Sequence, residues 1–191
     1  MILSRILLMG LSFLLTDTAA QISTLTAFLP NSVLNGQKVN AAGQAFYLGL
    51  DVPATYCPTV VEPNCPVASE TVVGGTIGSL WVNVPGGQQI YVRANGALAF
   101  VQAHSMNVPE GSYRGGFLSV TIGSDCAEDL NVFTWKAPDG STEGILACPD
   151  FPVYQIYART PAFNQTDCVE LEGLQPTYKP SGSPFGAWEY T

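Results

Sequence analysis

Short stretches of alternating or β-branched hydrophobic residues, separated by turn-forming residues, run through the chain after residue 20. The clearest alternation is at residues 79–84, where Leu80, Val82 and Val84 share one side of an extended segment. Five further stretches rich in strand-forming residues are 89–93, 98–101, 117–122, 130–135 and 153–157. After the leader, no stretch carries a helical hydrophobic stripe longer than about two turns, so the pattern predicts an all-β protein.

Glycine-bearing turns between these stretches predict antiparallel pairing. Asn-Gly at residues 95–96 and Asp-Gly at 139–140 each stand between two strand-like segments, as left-handed hairpin turns do, and Ala-Gly at 42–43 is a weaker third case. Turns at this spacing predict a compact, single-domain antiparallel β-sandwich. Because the three hairpins are roughly evenly spaced, a β-trefoil-like barrel is the alternative.

The first 20 residues have the three-part pattern of a secretory signal peptide. Arg5 gives a basic start, residues 6–15 are mostly apolar, and Thr18, Ala19 and Ala20 supply small residues before a cleavage site. The apolar run is shorter than the ~20 residues that span a bilayer, which argues against a membrane anchor. Cleavage after Ala20 is expected to leave residues 21–191 as a single β-rich secreted domain.

The composition argues against several classes of protein. Lys and Arg number 7 and Asp and Glu 15, which gives a formal net charge of −8, and only 12% of residues are charged. An acidic chain of this kind lacks the basic face that binds nucleic acid. Its 47% hydrophobic content argues against disorder. We therefore predict no nucleic-acid partner and no membrane partner.

An exported chain with several cysteines is expected to contain disulfide bonds. Any one of the five cysteines could be left over and the other four could pair in three ways, so the sequence does not choose the pairing. The single histidine and the lack of a Cys-x-x-Cys motif leave no zinc-type ligand set, so we predict neither a metal nor another cofactor. The cysteines are Cys57, Cys65, Cys126, Cys148 and Cys168.

Two sequence features concern carbohydrate. Asn164, in Asn-Gln-Thr, forms the one Asn-x-Ser/Thr site of the chain and is the predicted glycosylation site. Trp81, Trp135 and Trp188, together with the tyrosines, could offer rings for sugars to stack on, although such rings are more often used in packing.

Candidate catalytic groups are few. His104 is the only histidine, so any Ser-His-Asp or Cys-His site would have to use it, and Ser105 is its neighbour only in sequence. Asp125, Glu128 and Asp129 cluster in one segment that has the composition of an exposed turn, whereas a general acid needs a desolvated pocket. We predict that the protein is not an enzyme. The alternative to this prediction is a small secreted hydrolase that uses His104 or these carboxylates.

Several strings, in the same order along nearly the whole of residues 21–191, resemble the PhiA-type secreted cell-wall proteins of filamentous fungi. The most specific are Val-Pro-Gly-Gly-Gln-Gln at residues 84–89 and Gln-Ala-His-Ser at 102–105. Others lie at residues 46–49, 56–58, 147–149 and 186–190. The resemblance implies that the disulfide-forming cysteines are Cys57, Cys65, Cys148 and Cys168, which makes Cys126 the candidate free thiol.

The resemblance also implies a place and a role. Members of that family are extracellular or wall proteins associated with phialide and conidium formation, and some are IgE-binding allergens. No catalytic residues come with the resemblance. We therefore expect a non-catalytic secreted structural protein of the cell wall, acting in asexual development, with wall polysaccharide as the candidate partner. A carbohydrate-binding, lectin-like module is the alternative, and the sequence leaves the oligomeric state open.

Overall fold

The fold is built from extended strands, as the hydrophobic pattern predicts. The computed structural model describes residues 21–123 and 128–191, so the predicted signal peptide and residues 124–127, with Asp125 and Cys126, lie outside the described residues. The described part contains fifteen strands and one short 3-10 helix, Thr59–Val61. The strands are β1 (Ile22–Phe28), β2 (Val39–Ala42), β3 (Ala45–Leu48), β4 (Thr55–Tyr56), β5 (Val73–Gly74), β6 (Ser79–Leu80), β7 (Gln88–Val92), β8 (Leu98–Phe100), β9 (Phe117–Ile122), β10 (Leu130–Trp135), β11 (Ile145–Asp150), β12 (Val153–Ala158), β13 (Val169–Leu171), β14 (Gly173–Tyr178) and β15 (Glu189–Tyr190).

Antiparallel pairing joins thirteen of these strands into one long sheet. The order along it is β13-β11-β12-β3-β8-β7-β6-β5-β1-β14-β10-β9, with β2 on β3, while β4 and β15 pair with each other. Strand β7 joins the two halves, because its first residues pair with β6 and its last with β8. Both halves contribute to one hydrophobic core, which includes Phe46, Phe100 and Trp135. The all-β sandwich is confirmed, and the described strands do not close into the barrel of the trefoil-like alternative.

The three predicted hairpins have different outcomes. At residues 42–43, β2 and β3 are joined by Gly43 and Gln44 with φ of 57° and 59°, as a type I′ turn requires. Strands β7 and β8 also form a hairpin, but its left-handed residue is Gly96 alone. At residues 139–140 the turn forms, but the prediction that the strands on either side of it pair as a hairpin is wrong. One bridge closes that turn, and β10 and β11 then continue into different halves of the sheet.

A buried polar side chain fastens the C-terminal strand β15 to the middle of the sheet. Gln88 is 1% exposed. Its Nε2 donates to the carbonyls of Val101 (3.1 Å) and Tyr190 (2.8 Å), and its Oε1 accepts from the Tyr190 N–H (2.8 Å). The Tyr190 hydroxyl accepts from the Val72 N–H (3.0 Å) and donates to the Glu70 carbonyl (3.1 Å). Gln88 therefore has a structural role within the Val-Pro-Gly-Gly-Gln-Gln string.

Candidate functional site

Two disulfides close local loops in the described chain. Cys57 bonds to Cys65, 8 residues away, and Cys148 bonds to Cys168, 20 residues away. The expectation of disulfide bonds is confirmed, and the bonded residues are the four that the resemblance implied. In the chain-entropy picture the shorter loop contributes about 2.6 kcal/mol and the longer about 3.3 kcal/mol. The longer one ties β11 to the segment that leads into β13.

The candidate catalytic residues do not form a reaction centre in the described part of the chain. His104 is exposed, has a left-handed backbone with φ of 60°, and makes no hydrogen bond with a described serine or carboxylate. Glu128 and Asp129 are exposed as well, and Asp125 lies outside the described residues. Among residues 21–123 and 128–191, no three His, Cys, Asp or Glu side chains gather closely enough to hold a metal ion. The same residues include no helix with the length and apolar character of a membrane span.

The tryptophans mainly serve packing. Trp135 is fully buried and donates its Nε1 hydrogen to the Gly115 carbonyl (2.9 Å), so it is a packing residue and offers no face to a sugar. Trp188 is half-buried against the core. Trp81 is half-buried and packs on Phe185, with 5.0 Å between ring centroids, and Phe185 borders a cavity of about 180 Å³.

A surface bearing tyrosines lies on the outer side of strands β3, β11 and β12. Side chains alternate between the two sides of a strand, so Ile156 points into the core while Gln155 and Tyr157 point outward. The register then places Tyr47 of β3 directly opposite Gln155, and Cys148 of β11 opposite Gln155 on its other side. The Cys148–Cys168 disulfide therefore borders this outward surface.

Arg93 and Asp150 complete the same surface. Tyr157 forms a bridge with Ala97, and the Arg93 N–H donates to the Ala97 carbonyl (2.9 Å), which aligns Arg93 with Tyr157 beside the turn that joins β7 and β8. Asp150 follows Cys148 by two residues on β11 and lies on the same side of that strand. We term Tyr47, Arg93, Asp150, Gln155 and Tyr157 the open tyrosine face.

The polar groups of the open tyrosine face are largely unpaired within the described residues. The Tyr157 hydroxyl donates to Gln155 Oε1 (3.1 Å). Arg93 forms no ion pair with a described carboxylate, and its buried Nε has no hydrogen-bond partner among the described residues. Asp150 is exposed and likewise forms no salt bridge there. The face thus offers both donors and acceptors to a ligand.

Both phenols of the face stay protonated at neutral pH. Burial raises the pKa of Tyr47 and of Tyr157; the Asp150 carboxylate raises both further, and the Arg93 guanidinium opposes the shift. A protonated phenol can donate as well as accept a hydrogen bond. The two hydroxyl groups are therefore suited to neutral hydroxyl or amide partners.

The surroundings leave one end of this surface open and cover the other. At the open end a cavity of about 400 Å³ borders Tyr47, Asp150 and Phe151, a size within the ~300–1,000 Å³ range of ligand sites. Phe151 is 90% exposed, so its ring projects into solvent at the rim. At the other end Val108, from the segment after β8, packs over Tyr91, which is only 4% exposed.

The predicted glycosylation site stands beside the open tyrosine face. Asn164 is exposed in the segment between β12 and β13. Its neighbour Phe163 packs edge-on against Tyr157, with 6.0 Å between ring centroids. The Cys148–Cys168 bond closes the loop that carries both residues. The position is accessible to a glycan, and its modification stays a prediction.

Sequence reasoning missed the open tyrosine face. The sequence predicts a strand at residues 153–157, and its alternation places Gln155 and Tyr157 on one side. Nothing local indicates that Tyr47, more than 100 residues earlier in the chain, pairs opposite Gln155. The signals available in the sequence are the alternation that puts Gln155 and Tyr157 on one side of that strand, and a large apolar residue, Phe151, beside Pro152 just before it.

Comparisons with known proteins agree with the resemblance. The family of PhiA-like secreted proteins matches residues 24–191. A relative from the fungus Arthroderma benhamiae, described as an uncharacterized secreted protein, is 38% identical over 186 residues, which cover 94% of this chain and 90% of the relative. No solved structure matches the chain.

Proposed function

Because this chain belongs to the family of PhiA-like secreted proteins, we propose that it is a non-catalytic structural protein of the fungal cell wall that acts in asexual development. It is a secreted fungal protein. The wall location, the part in phialide and conidium formation and the absence of catalysis are the proposed steps. Contacts with wall polysaccharide, rather than a membrane, hold it in place.

The observation that carries the proposal is the rigidity of the domain. Two disulfides and a sandwich whose C-terminal strand is fastened by Gln88 make a rigid extracellular domain. The single histidine, His104, is exposed and has no hydrogen bond with a described serine or carboxylate. Rigid packing with no assembled acid–base pair in the described residues favours a structural or binding role over catalysis.

Fractionation of the producing fungus tests the location. Medium, wall and cytosol from mycelium and conidia are probed with an antibody against residues 21–191. We expect the protein in the medium and the wall, with the wall pool released by detergent or mild alkali. Recovery from the cytosol alone would contradict the proposal.

An activity screen tests the non-catalytic part. The purified protein is incubated with wall polysaccharides and with peptide substrates, beside a His104→Ala variant and a variant with Asp125 and Asp129 changed to Asn. We expect no release of product from any of the three. Turnover that disappears in either variant would support the secreted-hydrolase alternative instead.

The open tyrosine face also fits a second candidate, a carbohydrate-binding, lectin-like module. A module of this kind would bind soluble oligosaccharides on a glycan array. A structural protein of the wall would bind only the insoluble polymer. Binding to the glycan array therefore separates the two.

A further inference from the structure

We propose that the open tyrosine face binds a neutral polysaccharide chain and is the surface by which the protein holds the wall. The inference rests on the proposed wall function and deepens it, because it names the residues in contact and the chemical class of the partner.

The rings on this surface suit the apolar faces of sugars. Aromatic rings offer a flat apolar surface, and tyrosine adds a polar edge that can bond a hydroxyl group. Tyr47 and Tyr157 are half-buried, so their rings are held in place by the sheet, whereas Phe151 is 90% exposed at the rim. A large ring in solvent at the edge of an open cavity is available for a sugar to stack on.

The polar groups around the rings suit vicinal hydroxyl groups. Asp150 and the Gln155 amide oxygen can accept, while the Arg93 guanidinium and the Tyr47 phenol can donate. The Tyr157 phenol donates its proton to Gln155 Oε1 and can accept from a ligand. The buried Nε of Arg93 has no partner in the described chain. The rest of this half-buried guanidinium forms no ion pair with a described carboxylate, so its outer N–H groups are available to the hydroxyl oxygens of a ligand.

Charge indicates that the polymer is neutral. Arg93 and Asp150 cancel on the face itself, so the face offers no excess of either sign to attract an ionic polymer. The chain as a whole carries −8, which repels polyanions. An uncharged chain of hydroxyl-bearing or acetamido sugars meets neither obstacle.

Shape indicates a chain rather than a single sugar. Tyr47, Gln155 and Cys148 lie in one row across β3, β12 and β11, which spans about 10 Å at the spacing of neighbouring strands. Tyr157 and Arg93 lie in a second row, which runs from β12 to the turn between β7 and β8. The covered Tyr91 closes one end, so the polymer is expected to run past Tyr157 toward the open cavity at Phe151.

Binding to insoluble polysaccharides tests the inference. Purified residues 21–191, with native disulfides, are mixed with particulate β-1,3-glucan, chitin and cellulose, and with polygalacturonate as the anionic probe. Depletion of protein from solution is measured over a range of concentrations. We expect binding to at least one of the neutral polymers and none to polygalacturonate. The relative binding to the three neutral polymers identifies which of them the protein recognises.

Variants locate the surface. Phe151→Ala and Tyr157→Ala are each expected to weaken binding about 3- to 10-fold, and Tyr157→Phe, which keeps the ring, less. Phe151 is so exposed that its truncation leaves folding intact, so this variant stands even if Tyr157→Ala unfolds. Phe185→Ala and Tyr178→Ala, at partly exposed aromatic residues elsewhere, are the matched controls and should bind as the wild type does.

The outcomes separate this inference from the proposed function. No binding to any neutral polymer, or an equal loss in Phe185→Ala, would overturn the open tyrosine face as the binding surface even if the protein fractionates with the wall. Recovery from the cytosol alone would overturn the wall function without changing the binding result. The Asn164→Gln variant cannot carry a glycan at this position. If this variant bound the polymers and the glycosylated wild type did not, the face would be occupied by the protein's own glycan, and the inference would also be overturned.

Discussion

Replacing Gln88 by methionine tests the fastening of the C-terminal strand. The change keeps the length of the side chain and removes its amide, which leaves the Val101 carbonyl and the Tyr190 N–H and carbonyl without their present partner. Each buried polar group left unpaired costs about 1–3 kcal/mol. We expect the free energy of unfolding to fall by roughly 3 kcal/mol or more, a large part of the ~5–15 kcal/mol of an ordinary domain.

Equilibrium unfolding in urea, followed by the fluorescence of the three tryptophans, measures the loss. Gln89→Met is the matched control, because Gln89 is the next residue, is half-buried and makes no side-chain hydrogen bond within the described chain. Its variant should stay within about 0.5 kcal/mol of the wild type, as surface changes usually do. A Gln88→Met loss below about 1 kcal/mol, or one equal to that of Gln89→Met, would refute the structural role of Gln88.

Three further perturbations follow from the packing. Gly96→Ala should lower the free energy of unfolding, measured in urea, by about 2–4 kcal/mol, because Gly96 has φ of 94° and an added Cβ would meet the Ala158 carbonyl oxygen. Gly78→Ala is the control and should be nearly neutral, because the space around Gly78 is open. An equal loss of stability in the two variants would contradict this. Burial raises the pKa of Tyr190 to about 12, whereas the pKa in the unfolded chain is ~10. The difference corresponds to about 3 kcal/mol of stability, which is present below pH 10 and should be lost as the pH rises to 12. A free energy of unfolding that does not change between pH 10 and 12 would refute this. Replacing Cys148 and Cys168 together by serine should cost about 3 kcal/mol by the same urea assay, and an unchanged midpoint would refute that estimate.

The sequence predicted local structure well where the reason is local. Strands β9 and β10 have the bounds that the hydrophobic stretches indicated, since alternation and flanking turn residues define them. The stretch 79–84 is different. Leu80, Val82 and Val84 all point into the core as predicted, yet only Ser79–Leu80 form a ladder. Val82 instead bridges to Ala187, a contact that sequence distance hides.

The partners of the strands could not be predicted in the same way. Strands on either side of the turn at residues 139–140 look like a hairpin, but the chain crosses there from one half of the sheet to the other. The open tyrosine face could not be predicted for the same reason, because the pairing of Gln155 with Tyr47 depends on long-range register. Composition does not distinguish a stacking tryptophan from a packing one, and the burial of Trp135 reflects core packing.

Electron microscopy with gold-labelled antibody on intact conidiophores tests the central claim most directly. A non-catalytic wall protein of asexual development should place the label over the walls of phialides and conidia, and label should be lost from a strain that lacks the protein. Label confined to the cytoplasm, or a wall label equally dense in vegetative hyphae and absent from conidiophores, would contradict the account.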